Sequence, residues 1–224
     1  ADLIGEKAGC KSWQVTAILW MRGILEHEYG VPHKKLQWFA ELDEDVDFDP
    51  PDDLDLTRLP DEKSVETMLA EGELDVLFHS SLIKPLVDKD PRVGRLFPNF
   101  KTEEIKYYNK TGNFPIMHVM GIKQEIVERH PWVAINMYHA FNEAKAIAMA
   151  RVENPRIVPL AWYREAWEEQ EEVFGPDPWQ YGLGEANRSQ LEKLVGYSHE
   201  QGLIPRAYDL SELFAEEVWR TSRN

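Results

Sequence analysis

The sequence predicts a mixed α/β protein that contains a parallel sheet, and three observations lead to this prediction. Short apolar segments at residues 6–10, 37–40 and 74–78 have the length and composition of strands. Helical patterns lie between them. A helix that ends in Gly-Glu-Leu-Asp and leads into a buried strand, as at residues 64–78, is typical of α/β units, in which a short turn returns the chain to the sheet.

The first elements are a strand, a helix and a second strand. Residues 6–10 form the first predicted strand. Apolar residues then recur three and four positions apart between Ser12 and Glu28, which predicts an amphipathic helix. Gly30 supplies its end, because glycine adopts the left-handed conformation that terminates many helices. Residues 37–40 form the second strand.

An acidic segment follows the second strand. Nine of the 40 acidic residues lie between Glu41 and Asp55, and no Lys or Arg lies among them. The spacing of the carboxylates suggests a calcium loop, but Phe48 and Leu54 stand where an EF-hand has its glycine and its final glutamate. We therefore expect a charged, solvated loop.

The middle of the chain alternates between helix and strand. A helix is predicted at residues 64–71 and ends at Gly72, and a buried strand follows at residues 74–78. After an irregular, proline-containing stretch, a further helix is predicted at residues 102–108 and ends by Gly112.

The C-terminal half is predicted to be almost wholly helical. One strand is expected at Ile116–Ile122, where apolar residues and His118 alternate along one face. Helices are then predicted at residues 131–150, 160–174, 186–201 and 211–218. The last three have too few strands of their own. They form a bundle, or they pack on a sheet that lies outside this chain.

Composition and motifs exclude several classes of function. The formal net charge of −15 argues against a nucleic-acid partner, and no apolar run reaches the ~20 residues of a membrane-spanning helix. The single cysteine, Cys10, permits neither an internal disulfide nor a Cys-rich metal site. The seven histidines have no metal-binding spacing and there is no glycine-rich phosphate loop, so we expect no metal and no cofactor.

A series of short segments carries a family resemblance. The most specific is Phe114–Val119, with the sequence Phe-Pro-Ile-Met-His-Val. The others are Ser12–Ala17, Trp20–Leu25, Glu28–Val31, Gly72–Asp75, Arg95–Pro98, Tyr107–Tyr108, Thr111–Gly112, His130–Trp132, Trp179, Tyr181–Gly182, Asn187–Arg188 and Gln201–Leu203. Together they cover nearly the whole chain and resemble the 4,5-dihydroxyphthalate decarboxylase family.

The resemblance implies a bilobal α/β fold like that of type II periplasmic-binding proteins. Residues 1–115 would form the second α/β lobe of this fold. Residues 116–224 would form a return strand and the C-terminal helices of the first lobe. On this expectation the chain lacks the N-terminal part of the first lobe, which would explain why its last helices have no strands of their own.

The resemblance also implies a binding cleft between the lobes. The turn that starts the first helix would face it, and a helix N-terminus favours a carboxylate through its unpaired N–H groups and its dipole. Ser12, Gln14 and Thr16 are therefore candidate substrate-binding residues, although Ser12 is equally explained as a helix N-cap. Ser80 and Ser81 are further candidates, since the carboxyl ends of strands line clefts in α/β sheets.

Two histidines are candidate catalytic residues. Loss of CO₂ from a dihydroxylated aromatic dicarboxylate leaves negative charge on a ring carbon, which a general acid such as histidine must protonate. His118, in the apolar strand near the expected cleft, is the first candidate, and its alternative is a core histidine bonded to a backbone carbonyl. His79 is the second, and its alternative is a turn residue. Tyr181, in a proline-bounded loop, could contact an aromatic ring.

Two functions fit these expectations. The first is cofactor-independent decarboxylation of an aromatic dicarboxylate like 4,5-dihydroxyphthalate, by a cytoplasmic enzyme of aromatic catabolism. The second is capture of a small organic acid by the solute-binding protein of an ABC-type transporter, which would place the chain in the periplasm. Both use one cleft and neither needs nucleic acid or membrane insertion, so the fold does not separate them. A homo-oligomer could cover the apolar face of the last helices.

Overall fold

The computed structural model describes residues 2–221, which form two compact units. Unit 1 comprises residues 2–98 and 194–207. Unit 2 comprises residues 99–193 and 208–221. Unit 1 contains the sheet, whereas the regular structure of the described part of unit 2 is helical.

Unit 1 is built on a four-stranded parallel sheet. Its strands are β1 (Lys7–Cys10), β2 (Gln37–Ala40), β3 (Leu56–Arg58) and β4 (Val76–Phe78), in the order β3-β2-β1-β4. β1 pairs in parallel with both β2 and β4, and β2 pairs in parallel with β3. Because all the pairs are parallel, the carboxyl ends of the four strands lie at one edge of the sheet.

Three helices belong to the N-terminal part of unit 1. They are α1 (Thr16–Tyr29), α2 (Val65–Glu71) and α3 (Lys84–Val87), and a single 3₁₀ turn lies at His33–Lys35. Gly30 and Gly72 end α1 and α2 in the left-handed conformation, as the sequence predicts. Residues 194–207 approach α1 closely, since a Cβ on Gly23 would lie 2.2 Å from the ring of Tyr197. A side chain larger than that of glycine cannot fit there.

A buried arginine lies at the centre of unit 1. Arg22 is 1% exposed, its Nε donates to Gln201 Oε1 at 2.6 Å, and its Nη2 donates to the Trp13 carbonyl at 2.8 Å. The guanidinium carbon lies 3.6 Å from the centroid of the Trp13 ring, which is a cation–π contact. Burial lowers the pKa of Arg22 to about 9, so the side chain stays charged at neutral pH. No carboxylate among residues 2–221 forms an ion pair with it.

Aromatic rings fill the space between the sheet and α1. The Trp13 and Trp38 rings meet edge to face with centroids 5.2 Å apart, and Trp38 contacts Phe78 at 4.9 Å. Trp38 Nε1 donates to the His33 carbonyl at 2.8 Å, so its one polar atom is satisfied. These contacts join β2 and β4 to the turn before α1.

Unit 2 consists of helices and loops in its described part. The helices are α4 (Phe100–Thr111), α5 (Gln124–Arg129), α6 (Trp132–Val152), α7 (Tyr163–Phe174), the first part of α8 (Glu185–Glu200), α9 (Leu210–Leu213) and α10 (Glu216–Thr221). The α4 helix packs against α7, and α10 packs against α6. Tyr108 and Phe114 both contact the Phe174 ring edge to face, at 4.7 Å and 5.2 Å between centroids.

Most of the predicted elements are present, with shifted ends. The strand predicted at 37–40 is β2 itself, and those at 6–10 and 74–78 are slightly longer than β1 and β4. The helix expected from Ser12 begins four residues later, at Thr16. The short strand β3 and the short helices α3 and α5 were not predicted, and α3 lies in the stretch that was expected to be irregular.

The strand predicted at Ile116–Ile122 is wrong. Residues 112–123 contain neither helix nor strand, and His118 is exposed together with Val119 and Met120. Alternating apolar residues predict which face of a strand is buried, but a strand also needs a neighbour that pairs with its N–H and C=O groups. Within residues 2–221 the sheet consists of four strands that pair with one another, and none of the pairings includes this segment.

The protein is mixed α/β with a small parallel sheet, as the sequence predicts. The type II periplasmic-binding-protein-like bilobal fold stays a prediction, and so does the assignment of residues 1–115 and 116–224 to two lobes. The chain passes between the compact units after Pro98, after Lys193 and after Ala207. None of the helices within residues 2–221 is long and apolar enough to cross a membrane.

Gln201→Leu should destabilise the protein by about 3 kcal/mol, because it removes the acceptor of a buried charged donor and also the donor to the Leu19 carbonyl. Urea denaturation measures the change. Gln37→Leu, at an exposed position of β2, is the matched control and should change stability by less than about 0.5 kcal/mol. Equal effects of the two substitutions would contradict the role of Gln201 as the partner of Arg22.

Stability should decrease at acidic pH through His33. Burial lowers the pKa of His33 below its ordinary 6.5, although the hydrogen bond from its ring to Glu26 opposes that shift. Between the folded pKa and 6.5 the unfolded chain binds a proton that the folded protein does not. The contribution of His33 to the free energy of unfolding is therefore fully present above 6.5 and falls as the pH drops toward the folded pKa.

Urea denaturation at a series of pH values tests this dependence. His33→Asn should give a flatter dependence below pH 6.5 than the wild type, whatever its stability at neutral pH. His139→Asn, on the exposed surface of α6, is the control and should leave the slope unchanged. The prediction fails if the slope of His33→Asn equals that of the wild type.

Candidate active site at the carboxyl edge of the sheet

The carboxyl edge of the sheet brings three ionisable side chains together. Lys11 follows β1, Glu41 follows β2 and His79 follows β4. The ammonium of Lys11 forms an ion pair with Glu41. The other oxygen of Glu41 accepts a hydrogen bond at 2.8 Å from the N–H of Val65, the first residue of α2. Parallel pairing therefore places residues that are distant in sequence around one small area.

Glu41 is held in its charged form. Burial alone would raise the pKa of Glu41, but the hydrogen bonds from Lys11 and from the Val65 N–H keep it below its usual value, and His79 contributes to the lowering. The side chain of Glu41 is only 13% exposed. A fixed negative charge therefore stands at the end of β2.

His79 has one ring nitrogen with hydrogen-bond partners and one without. The Ser81 N–H donates to Nδ1 at 3.0 Å, and the Ser81 carbonyl lies 3.1 Å from the same atom. Ser81 therefore offers Nδ1 a donor when the ring is neutral and an acceptor when it is protonated. The Nε2 atom is buried and has no hydrogen-bond partner among residues 2–221.

A carboxylate stands near the unpaired nitrogen of His79. Glu66 Oε1 lies 4.0 Å from His79 Nε2. The other oxygen of Glu66 accepts a hydrogen bond from the Lys84 N–H at 2.9 Å, which fixes the carboxylate at that position. A histidine with a fixed carboxylate beside it can donate a proton and recover one.

The turn before α1 binds a carboxylate of the chain itself. The N–H groups of Trp13 and Gln14 both donate to Glu44, the second at 2.8 Å. The side chain of Gln14 donates to the Val46 carbonyl at 2.8 Å and accepts from the Val46 N–H at 3.2 Å. The acidic loop is thus hydrogen-bonded to the turn at which the sequence predicts binding of a substrate carboxylate.

The N-cap expected at Ser12 is not formed. The helix begins at Thr16, its N-cap is Val15, and no side chain caps it. The N–H groups of residues 13 and 14 bind Glu44 instead of entering the first turn of a helix. Ser12 is half-buried beside this turn.

The remaining predicted site residues lie in unit 2 or on the surface. His118 is exposed in the segment without strand pairing, and Ser80 is exposed in the turn after β4. Tyr181 is 47% exposed, and Lys145 Nζ lies 4.7 Å from the centroid of its ring. Lys145 also forms an ion pair with Asp177. Tyr181 therefore makes a cation–π contact within unit 2.

Lys11, Glu41 and Glu66 were missed as site residues by sequence reasoning. Lys11 and Glu41 could have been found from their position, because each directly follows a predicted strand. Cys10 is fully buried, and burial raises the pKa of its thiol to about 12, so it is no nucleophile at neutral pH. Within residues 2–221, no group of three or more His, Cys, Asp or Glu side chains is placed to hold a metal ion.

The fold and this edge define a mixed α/β protein with ionisable side chains at the carboxyl ends of parallel strands. No family model matches the chain. The chain is 29% identical over 222 residues to a 4,5-dihydroxyphthalate decarboxylase of Comamonas testosteroni, and the match covers 96% of this chain and 67% of the relative. It is 28% identical over 103 residues to a protein of the same name from Pseudomonas putida, over 43% of this chain and 40% of the relative. These similarities support a family relationship.

Glu44→Ala should destabilise the protein by about 1–3 kcal/mol, because the N–H of the buried Trp13 and that of Gln14 lose their acceptor. Hydrogen exchange at these two amides should become faster, and urea denaturation gives the loss of stability. The exposed neighbour Asp45 provides the control, and Asp45→Ala should leave both measurements unchanged. Unchanged exchange in Glu44→Ala would show that the contact does not hold the turn.

Proposed function

We propose that this chain is a decarboxylase of a dihydroxylated aromatic dicarboxylate of the 4,5-dihydroxyphthalate type. The observation that carries the proposal is the 29% identity over 96% of the chain to a protein named 4,5-dihydroxyphthalate decarboxylase. The match covers 67% of that relative. The site at the carboxyl edge supports the proposal through the chemistry of its side chains.

Decarboxylation of such a ring requires one proton donor and one group that accepts a proton. In the substrate one hydroxyl is para to the carboxylate that leaves. A general acid protonates the ring carbon that bears this carboxylate while the para hydroxyl gives its proton to a base, which yields a dienone. The bond between the ring and the carboxylate then breaks and CO₂ departs. The electron pair of that bond restores the aromatic ring, and the oxygen takes its proton back from the base. No external electron sink is needed.

His79 is the proton donor in this proposal. Its Nδ1 keeps a hydrogen-bond partner in Ser81 whether or not the ring is protonated, so a change of charge need not move the ring. Its Nε2 has no partner within the described chain and is the atom that would deliver the proton. Glu66 lies 4.0 Å from this atom and would pass a proton from solvent back to the imidazole of His79 after each reaction.

The carboxylate that stays on the product needs hydrogen-bond donors. In this proposal they come from Ser12, Thr16, Ser80 and Ser81, which the sequence already indicates. The N–H of Gln14 becomes available only if Glu44 moves away from it. A poorly hydrated site would favour loss of the other carboxylate, since CO₂ is uncharged.

The roles of His118 and Tyr181 stay predictions from the sequence. The side chain of His118 is exposed, so a further contact would have to hold it beside the substrate. A cytoplasmic location is likewise proposed from the resemblance.

Conversion of 4,5-dihydroxyphthalate to 3,4-dihydroxybenzoate and CO₂ tests the proposal. In His79→Asn, kcat should fall by about 100-fold or more, because the general acid is lost, while KM stays within about threefold. Chromatography of the product and measurement of released CO₂ give the rates.

His139→Asn is the matched control and should keep full activity, since His139 lies on the exposed surface of α6. Thermal unfolding of each variant shows whether it is folded. If His118→Asn loses the activity and His79→Asn retains it, the proton donor is His118 and the assignment to His79 is wrong. If the wild-type chain releases no CO₂ from this substrate, the proposed function itself is wrong.

A further inference from the structure

The two partners of His79 Nδ1 are main-chain groups of the same residue. The Ser81 N–H donates to Nδ1 at 3.0 Å, and the Ser81 carbonyl oxygen lies 3.1 Å from it. A neutral imidazole carries its proton on one nitrogen only. The Ser81 N–H is satisfied when this proton is on Nε2, and the Ser81 carbonyl is satisfied when it is on Nδ1. Because the two contacts are almost equally long, Ser81 alone does not select a tautomer.

The surroundings of the other ring nitrogen favour one tautomer. His79 Nε2 is buried, has no hydrogen-bond partner within the described chain and lies 4.0 Å from Glu66 Oε1. A carboxylate at this distance attracts a ring N–H and repels a nitrogen lone pair. The Lys84 N–H donates to the other oxygen of Glu66 at 2.9 Å, which holds the carboxylate there. Water screens the pair only partly, since the His79 side chain is 11% exposed.

The second carboxylate near His79 is already paired. One oxygen of Glu41 binds the ammonium of Lys11, and the other accepts from the Val65 N–H at 2.8 Å. The positive charge of Lys11 offsets the charge of Glu41, whereas the only contact of the described structure with His79 Nε2 is that of Glu66. The tautomer of His79 is therefore expected to depend on Glu66.

We propose that Glu66 and the Ser81 N–H hold neutral His79 in the tautomer that carries its proton on Nε2. Glu66 is thus a positioning residue that acts through His79. The ring takes up a second proton at Nδ1, which then changes from accepting the Ser81 N–H to donating to the Ser81 carbonyl. Nε2 carries a proton in both charge states, and the one lone pair of the neutral ring is engaged by Ser81. On the proposed function, His79 therefore enters the reaction as a proton donor and not as a base.

Nitrogen-15 NMR of the full chain with ring-labelled histidine tests the proposal, because protonated and unprotonated ring nitrogens resonate far apart. The chain has seven histidines, and the signals that are missing in His79→Asn identify those of His79. With the ring neutral, the wild type should show a protonated Nε2 and an unprotonated Nδ1. In Glu66→Gln the form protonated on Nδ1 should increase at least about threefold, because the negative charge beside Nε2 is lost. Glu71→Gln, at the exposed end of the same helix, is the matched control and should leave the tautomer unchanged.

Ser81→Pro tests the main-chain contact. Proline has no N–H but keeps the carbonyl, so the proton of the neutral ring should move toward Nδ1. Ser81→Ala keeps both main-chain groups and should give the wild-type spectrum. If Ser81→Pro does not fold, Glu66→Gln decides. A wild type with its proton on Nδ1, or an unchanged tautomer in Glu66→Gln, would overturn the proposal. The spectrum does not depend on turnover, so a chain with the expected tautomer that releases no CO₂ contradicts only the proposed decarboxylation.

Discussion

The packing of unit 1 depends on the neutral groups that surround one buried positive charge, that of Arg22. Arg22 is enclosed without a carboxylate partner in the described chain, and its charge is shared by the amide oxygen of Gln201, the carbonyl of Trp13 and the face of the Trp13 indole. A buried charge is costly unless its partners are held in place. The helix α1, the turn before it and the segment around residue 201 therefore have to keep one arrangement.

This constraint extends to the candidate site through the turn. Because the Trp13 carbonyl faces Arg22, the Gln14 N–H of the same trans peptide points the opposite way, and Glu44 binds it together with the Trp13 N–H. Glu44 in turn fixes the beginning of the acidic loop, next to the ion pair of Lys11 and Glu41. The loop that the sequence predicts to be merely solvated thus contributes two carboxylates to the edge of the sheet, while most of its other acidic residues are exposed.

Elements with a local signal in the sequence were predictable, whereas those that depend on distant pairing were not. Glycine is favoured at helix ends because the backbone there adopts the left-handed conformation. The predicted ends of α1 at Gly30 and of α2 at Gly72 are both confirmed. The three-residue strand β3, Leu56–Arg58, is mostly exposed and exists because β2 pairs with it. His79 was predicted as a site residue from the end of its strand. Its neighbour Glu66 comes from the start of a helix, and only the register of the sheet and α2 brings the two together.

The net charge of −15 says little about the carboxyl edge of the sheet, because the interaction between charges is screened over a short distance in water that contains salt. At the carboxyl edge, the ammonium of Lys11 is paired with Glu41, and the N–H groups of the turn and of α2 are already bound by Glu44 and Glu41. Glu66 adds a third carboxylate beside His79, so an anion at this edge would depend on local hydrogen-bond donors rather than on an excess of positive charge.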